Sequence, residues 1–373
     1  MNKIIRRLGG FFGTIRAFYR QIHNRYFGHV KQFEGTPQEI CEQIIELLWE
    51  GDFYRTSLGH FDFFWMRDFG TSAEGLVKLG HRDKVKQTIS WAFLHYQKAD
   101  DVTLCIDKAG NTFNAPAKRS IDALPWLLHT LYVSKYKLRP IEKRFLHRQL
   151  KRFVKNFLDS KSGDIRPGIR YAELRDAVNY DRSAYAIAMV ARMSMCAEKL
   201  ELNFPFKPAV YQKILNDEYW NGSYFKADRT TGVYSSECAL VPFYLDVIKD
   251  SEKAEATIKY IKEHSYQKLY PLQYSKQSDG INFRFGMGNL IMPNYTGTTI
   301  WTWHGTFYLD LLQKFNRNDY DEEYSKFEQL ILRHKTYPEL LNPDGSWYKA
   351  VFYSGDPGMV WAAIFLALPK PDK

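Results

Sequence analysis

The chain has 373 residues, 45% of them hydrophobic and 16% aromatic. That is long enough for one large core, and no Ser-, Gly- or Pro-rich tract divides it, so a single principal domain is expected. The formal net charge is +10. The cations gather in the first 31 positions and between Lys135 and Phe153, opposite apolar residues at helical spacing, which reads as solvated helix faces and argues against nucleic-acid binding. The four cysteines, Cys41, Cys105, Cys196 and Cys238, are far apart, with no C-x-x-C pair and no histidine cluster. Neither a disulfide framework nor a zinc site is indicated. Buried thiols are expected, and no metal or organic cofactor.

In chain order, residues 1–35 form a basic amphipathic segment opening M-N-K-I-I-R-R-L-G-G-F-F-G-T-I-R-A-F-Y-R-Q-I. Charges interrupt each apolar run, unlike a secretory signal, and no stretch is long and apolar enough for a bilayer span. A cytoplasmic location is the expectation, with residues 1–32 as a candidate surface for peripheral membrane or protein contact. Residues 36–373 are expected to form an all-α domain. Apolar periodicity predicts twelve helices, over 36–50, 69–80, 82–98, 119–136, 140–159, 181–200, 207–216, 236–249, 252–264, 297–315, 320–335 and 356–368.

The connections alternate. Links 80–82, 136–140, 200–207, 249–252 and 315–320 are short, whereas 51–68, 99–118, 160–180, 217–235, 265–296 and 336–355 are long and each precedes an even-numbered helix. Short links make neighbouring helices antiparallel. Six hairpins around a ring, the even helices inside and all long loops on one face, make an (α/α)6 barrel with an additional N-terminal helix. Loops on one face of a rigid scaffold are where binding residues collect. The expected mouth is a funnel lined by Trp65, Trp126, Trp220, Trp301, Trp303 and Trp347, a surface suited to the apolar faces and hydroxyl edges of sugars.

Three stretches carry a resemblance: Trp65-Met66-Arg67-Asp68; Leu174-Arg175-Asp176-Ala177; and Pro338-Glu339, followed by Asp344-Gly345 and Val360-Trp361-Ala362-Ala363. In these the chain resembles the six-hairpin glycosidases, above all glucoamylases and the related debranching glucosidases, trehalases and processing α-glucosidases, over about residues 40–370. The resemblance implies that Arg67 and Asp68 hold hydroxyls of a terminal glucose, that Glu339 is the general base, and that Asp176 is the general acid. The acid position departs from the W-E-E of glucoamylases, which leaves Glu173 and Asp181 as competitors. Asp181 has a second reading as N-cap of the helix that follows. The β-sandwich domain that many bacterial relatives carry before the barrel is not expected within these residues.

Asp176 and Glu339 precede the third and sixth inner helices, opposite one another in a six-fold ring. Inverting hydrolysis needs such a pair about 6.5 to 9.5 Å apart, one protonated and one ionised. Trp65, Asp122, Trp303 and His304 are further candidates for substrate contact, and Glu237 reads as a capping or orienting residue. The expected substrate is an oligosaccharide or glucoside with terminal α-linked glucose. Because the same barrel hosts other chemistries, a sugar epimerase remains an alternative, as does a catalytically degenerate carbohydrate-binding or membrane-docking barrel.

Overall fold

Thr36 opens the first barrel helix with a reciprocal cap: its hydroxyl accepts from the Glu39 N–H while the Glu39 carboxylate accepts from its own N–H, and Pro37 fills the first helical position. The computed structural model describes residues 19–371 except 29, 116, 176, 177, 179 and 277–291. Among these, twelve helices build the barrel: α1 Pro37–Leu47, α2 Met66–Lys78, α3 Arg82–Ala99, α4 Ala123–Ser134, α5 Pro140–Phe157, α6 Ala184–Lys199, α7 Pro208–Ile214, α8 Ser236–Tyr244, α9 Ser251–Glu263, α10 Thr302–Phe315, α11 Arg317–His334 and α12 Ala362–Ala367. A five-residue π turn, Leu215–Tyr219, continues α7.

The even helices form the inner ring. On α6, every residue from Ala184 to Met193 is buried, and such all-round burial requires neighbours on all sides. By contrast α3 buries only Val85, Thr88, Ile89, Ala92, Phe93 and Tyr96, the single stripe of an outer helix. Inner helices pack in sequence, α2 on α4, α4 on α6, α6 on α8 and α8 on α10, and α12 returns to α2. Between α10 and α12 the ring closes through the stacked indoles of Trp303 and Trp361, with centroids 4.4 Å apart. Gly75 permits the α2–α12 approach, because a Cβ there would stand 2.5 Å from the Ala363 carbonyl oxygen.

The long loops add what periodicity did not predict. Strands β1 Phe64–Trp65, β2 Cys105–Ile106 and β3 Thr112–Phe113 form one antiparallel sheet, and β4 Ile300–Trp301 pairs with β5 Leu340–Leu341 in register Ile300↔Leu341 and Trp301↔Leu340. Two-residue strands are too short to display alternation. They also move helix starts: α10 begins at Thr302 rather than 297, and α12 at Ala362 rather than 356, since the preceding residues are committed to the rim. α8 stops at Tyr244, well before the predicted 249.

Residues 19–27 are helical and rest against the rim loops. The Arg25 Nε donates to the Ala350 carbonyl at 2.6 Å, the Tyr26 hydroxyl donates to the Val351 carbonyl at 2.8 Å, and Arg20 pairs with Asp62. All four cysteines are free and buried, as expected. No described helix is long and apolar enough to cross a membrane.

Candidate active site

Glu339 stands at the entry to β5, and its backbone is held on both sides. Its N–H donates to the Asp356 carbonyl at 2.8 Å, and its carbonyl accepts from the Thr302 N–H at 3.3 Å. Thr302 also donates its hydroxyl to the Pro338 carbonyl at 2.6 Å. The side chain is 1% exposed. Its carboxylate accepts from the Tyr295 hydroxyl at 2.7 Å, from the Tyr353 hydroxyl at 2.8 Å to each oxygen, and from the Asp356 N–H at 3.0 Å. Burial still dominates and pushes its pKa up to about 7; charge on His60 opposes the rise, Asp356 adds to it, and the two tyrosine hydroxyls oppose it.

Asp356 is the support behind Glu339. Burial disfavours its charge, but His60, the Phe61 N–H and the Ser57 hydroxyl outweigh that and hold its pKa below the ordinary value. The His60 Nδ1 lies 2.8 Å from Asp356, and the His60 and Phe61 N–H groups donate to it at 2.8 and 2.9 Å. Gly59 is required for this wrap, since any Cβ there would collide with the Asp356 carboxylate. His60 therefore braces Asp356, and through it Glu339. Sequence reading missed Asp356, Tyr295 and Tyr353.

Asp68 lies in the first turn of α2, buried, with its pKa raised to about 7. Burial is the main cause; Arg67 works against it, the Glu339 charge adds to it, and Trp361 works against it. Asp68 and Glu339 thus share one electrostatic environment. The Arg67 guanidinium pairs with Asp122 at 2.5 Å, not with its neighbour Asp68. Asp122 is fully buried and also accepts from the Tyr185 hydroxyl at 2.7 Å and from Ser120. Asp122, expected as a substrate contact, here spends its oxygens on Arg67, Tyr185 and Ser120.

The tryptophans divide. Trp126 is 1% exposed and donates to the Tyr185 hydroxyl, so it belongs to the core between inner helices. Trp220 packs on Phe225 with Lys253 of the outer helix α9 over its ring. Trp303 closes the ring against Trp361. Trp126 and Trp303 are buried and Trp220 is partly so. Trp301 packs edge-on against Tyr295, and half-buried Trp65 meets Phe61 edge-on. Trp347 is fixed by its indole N–H to the Gly355 carbonyl at 3.0 Å.

On the loop before α6, Asp176 lies outside the described residues. Its neighbour Arg175 is buried, donates to Ser235 at 3.2 Å and stands over the Tyr274 ring at 5.0 Å. Ser235 in turn donates to Glu237, a fully buried carboxyl whose pKa burial raises against the pull of Arg175. Glu237 is therefore tied to Arg175 through Ser235. The two competing carboxyls each have a neighbouring partner. Glu173 accepts from the Ser183 hydroxyl, and Asp181 pairs with Arg182 at 3.1 Å. The N-cap of α6 is Ser183, which corrects the capping reading of Asp181. His304 is fully buried beside Tyr274, neither ring nitrogen has a hydrogen-bond partner among the described residues, and burial with Arg175 nearby lowers its pKa to about 3.

No family profile matches the sequence, and no curated protein is similar to it in sequence. Solved structures do share its fold. A point variant of a glycosidase superposes with a TM-score of 0.62 at 12% identity, covering 89% of this chain and 95% of that one. A rhamnosidase from Klebsiella oxytoca with rhamnose bound gives 0.61 at 11% identity, over 90% of this chain and 64% of that one. The GH63 mannosylglycerate hydrolase from Thermus thermophilus, in complex with Tris and D-glycerate, gives 0.55 at 12% identity over 89% and 99%. The architecture is an (α/α)6 barrel, the fold it shares with these solved structures.

Proposed function

We propose that the protein is an inverting glycoside hydrolase acting on terminal α-linked glucose, with Glu339 as general base and Asp176 as general acid. The observation that carries this reading is the Glu339 carboxylate, buried, held by two tyrosine hydroxyls and a backbone N–H, and titrating near 7. A base whose pKa lies near the working pH combines a usable ionised fraction with real proton affinity. Arg67, positioned by Asp122, and Asp68 flank it as groups for sugar hydroxyls, through charge-assisted hydrogen bonds.

In the proposed reaction Glu339 removes a proton from a water as that water attacks the anomeric carbon. Asp176 donates its proton to the departing glycosidic oxygen. The pair exchanges its protonation states, and the configuration inverts. The neighbours named glycosidases support this class; the glucose specificity rests on the resemblance of Trp65-Met66-Arg67-Asp68. An epimerase built on rim histidines finds little support, because His60 is spent on Asp356 and the buried His304 stays neutral. The test is release of glucose from α-linked disaccharides, with the fresh anomer followed by proton magnetic resonance. Initial β-glucose supports the reading; initial α-glucose, or no turnover of any α-glucoside, rejects it.

A further inference from the structure

The helix over residues 19–27 is turned inside out for a helix in water. Its polar Arg20 and Arg25 reach inward to Asp62 and the Ala350 carbonyl. Its outward face is aromatic: Tyr19 is 66% exposed, Tyr26 54% and Phe27 71%, and the ring of His23 bridges Tyr19 and Phe27. Val351 and Phe352 of the adjoining rim loop are exposed as well, at 52% and 37%. A surface helix normally turns its apolar stripe to the core, so this stripe wants an apolar cover.

Charge selects among covers. The first 33 residues contain no Asp or Glu and carry Lys3, Arg6, Arg7, Arg16, Arg20, Arg25 and Lys31, and Lys349 is exposed next to Ala350. The nearby acids Asp62 and Glu34 are already paired, with Arg20 and Lys108 and with Lys335 respectively. Neither a second copy of this face nor residues 1–18, which contain no Asp or Glu, would bring an acid to Lys31 and Lys349. An anionic polymer would answer the charge and leave the aromatic rings in water. A bilayer of anionic lipid satisfies both, taking Tyr and Phe at the headgroup boundary and Lys and Arg among the phosphates.

We infer that residues 19–27, with Val351 and Phe352, form a docking face for an anionic lipid surface. Two residues beyond Val351, Tyr353 holds the Glu339 carboxylate, so docking sets the rim beside Glu339 against the bilayer. The inference stands whether or not Glu339 is catalytic.

The test is co-sedimentation of the whole 373-residue chain with vesicles of phosphatidylcholine alone or mixed with phosphatidylglycerol, over a salt series. The mixed vesicles should retain the protein at low salt and release it as salt screens the attraction. Tyr19→Ser/Tyr26→Ser/Phe27→Ser should lower the bound fraction about tenfold or more; Phe27→Ser, which keeps the Tyr26 bond to Val351, should do so in part with an unaltered thermal melt. Lys31→Gln/Lys349→Gln should shift release to lower salt. Absence of retention on mixed vesicles at low salt overturns the inference, as does equal retention by the triple variant. So does salt-insensitive retention on neutral vesicles, or a concentration-dependent dimer that the triple variant abolishes.

Discussion

Tyr353 donates one hydroxyl to both oxygens of Glu339, 2.8 Å to each. A shared donor of this kind fixes the plane of a carboxylate and favours its charged form. It is 14 residues away in sequence but returns over the Asn342–Gly345 turn, where Gly345 takes a φ of 76°.

Tyr353→Phe should therefore leave the barrel folded and raise the pKa of Glu339 further, because burial persists while one opposing donor is lost. The acidic limb of the activity profile should move to higher pH, with turnover at neutral pH reduced about tenfold, less than the roughly hundredfold that loss of a positioned acid or base costs. Tyr295 and the Asp356 N–H remain as donors, so abolition is not expected. A pH–rate profile of the variant checks this; an unmoved acidic limb would separate Tyr353 from the titrating group.

Stability should carry the same signature. Glu339 has a folded pKa near 7 against an ordinary value of 4.5. The folded state therefore binds more protons than the unfolded state between these values. Its stability falls as pH rises through that window and stays reduced above it. Glu339→Gln removes the penalty, so it should melt like the parent near pH 4 and higher than the parent at pH 8, by at most about 3 kcal/mol. Asp68→Asn should behave alike, as its carboxyl also titrates near 7. Thermal melts at the two pH values decide the sign.

Arg67 offers a test of positioning. Its guanidinium is buried against Asp122, whose remaining contacts are Tyr185 and Ser120. Asp122→Ala would remove the buried carboxylate that pairs with this cation and should cost about 3 kcal/mol or more. Asp122→Asn keeps shape and hydrogen bonds but loosens Arg67, so its main effect should be a higher KM for the α-glucoside rather than a lower kcat. Equal loss in both parameters would argue that Asp122 meets the substrate after all.

The barrel was legible because its signal is repeated. Outer helices such as α3 show a clean stripe, and the repeated alternation of short and long links leaves little freedom in topology. The rim was legible only in part. Pro338-Glu339 and Trp65 to Asp68 fell where motif and loop position agree, whereas His60 reaches Asp356 across 296 residues, and no local pattern encodes that meeting. One available signal was overlooked. Trp126 lies in A-L-P-W-L-L-H-T-L, apolar on every side, and such a helix buries its tryptophan instead of presenting it. Two-residue strands such as Leu340–Leu341 are below the length at which period 2 is visible.

The acid assignment leads to the sharpest kinetic prediction. Arg175, the residue just before Asp176, is held by Ser235 and Tyr274, and Glu237 stands behind that lock. If Asp176 donates the proton, Asp176→Asn should slow a disaccharide by about a hundredfold or more yet spare an activated aryl glucoside, whose leaving group departs without protonation. Glu237→Gln keeps the buried shape and an acceptor for Ser235, so it should weaken both substrates modestly and equally through the loop. Glu339→Gln should slow both substrates strongly, since every leaving group still needs an activated water. The three variants thus give three distinct patterns in one pair of assays. A leaving-group dependence seen in Glu237→Gln and not in Asp176→Asn would move the acid to Glu237, and an unimpaired Glu339→Gln would remove the base from this glutamate.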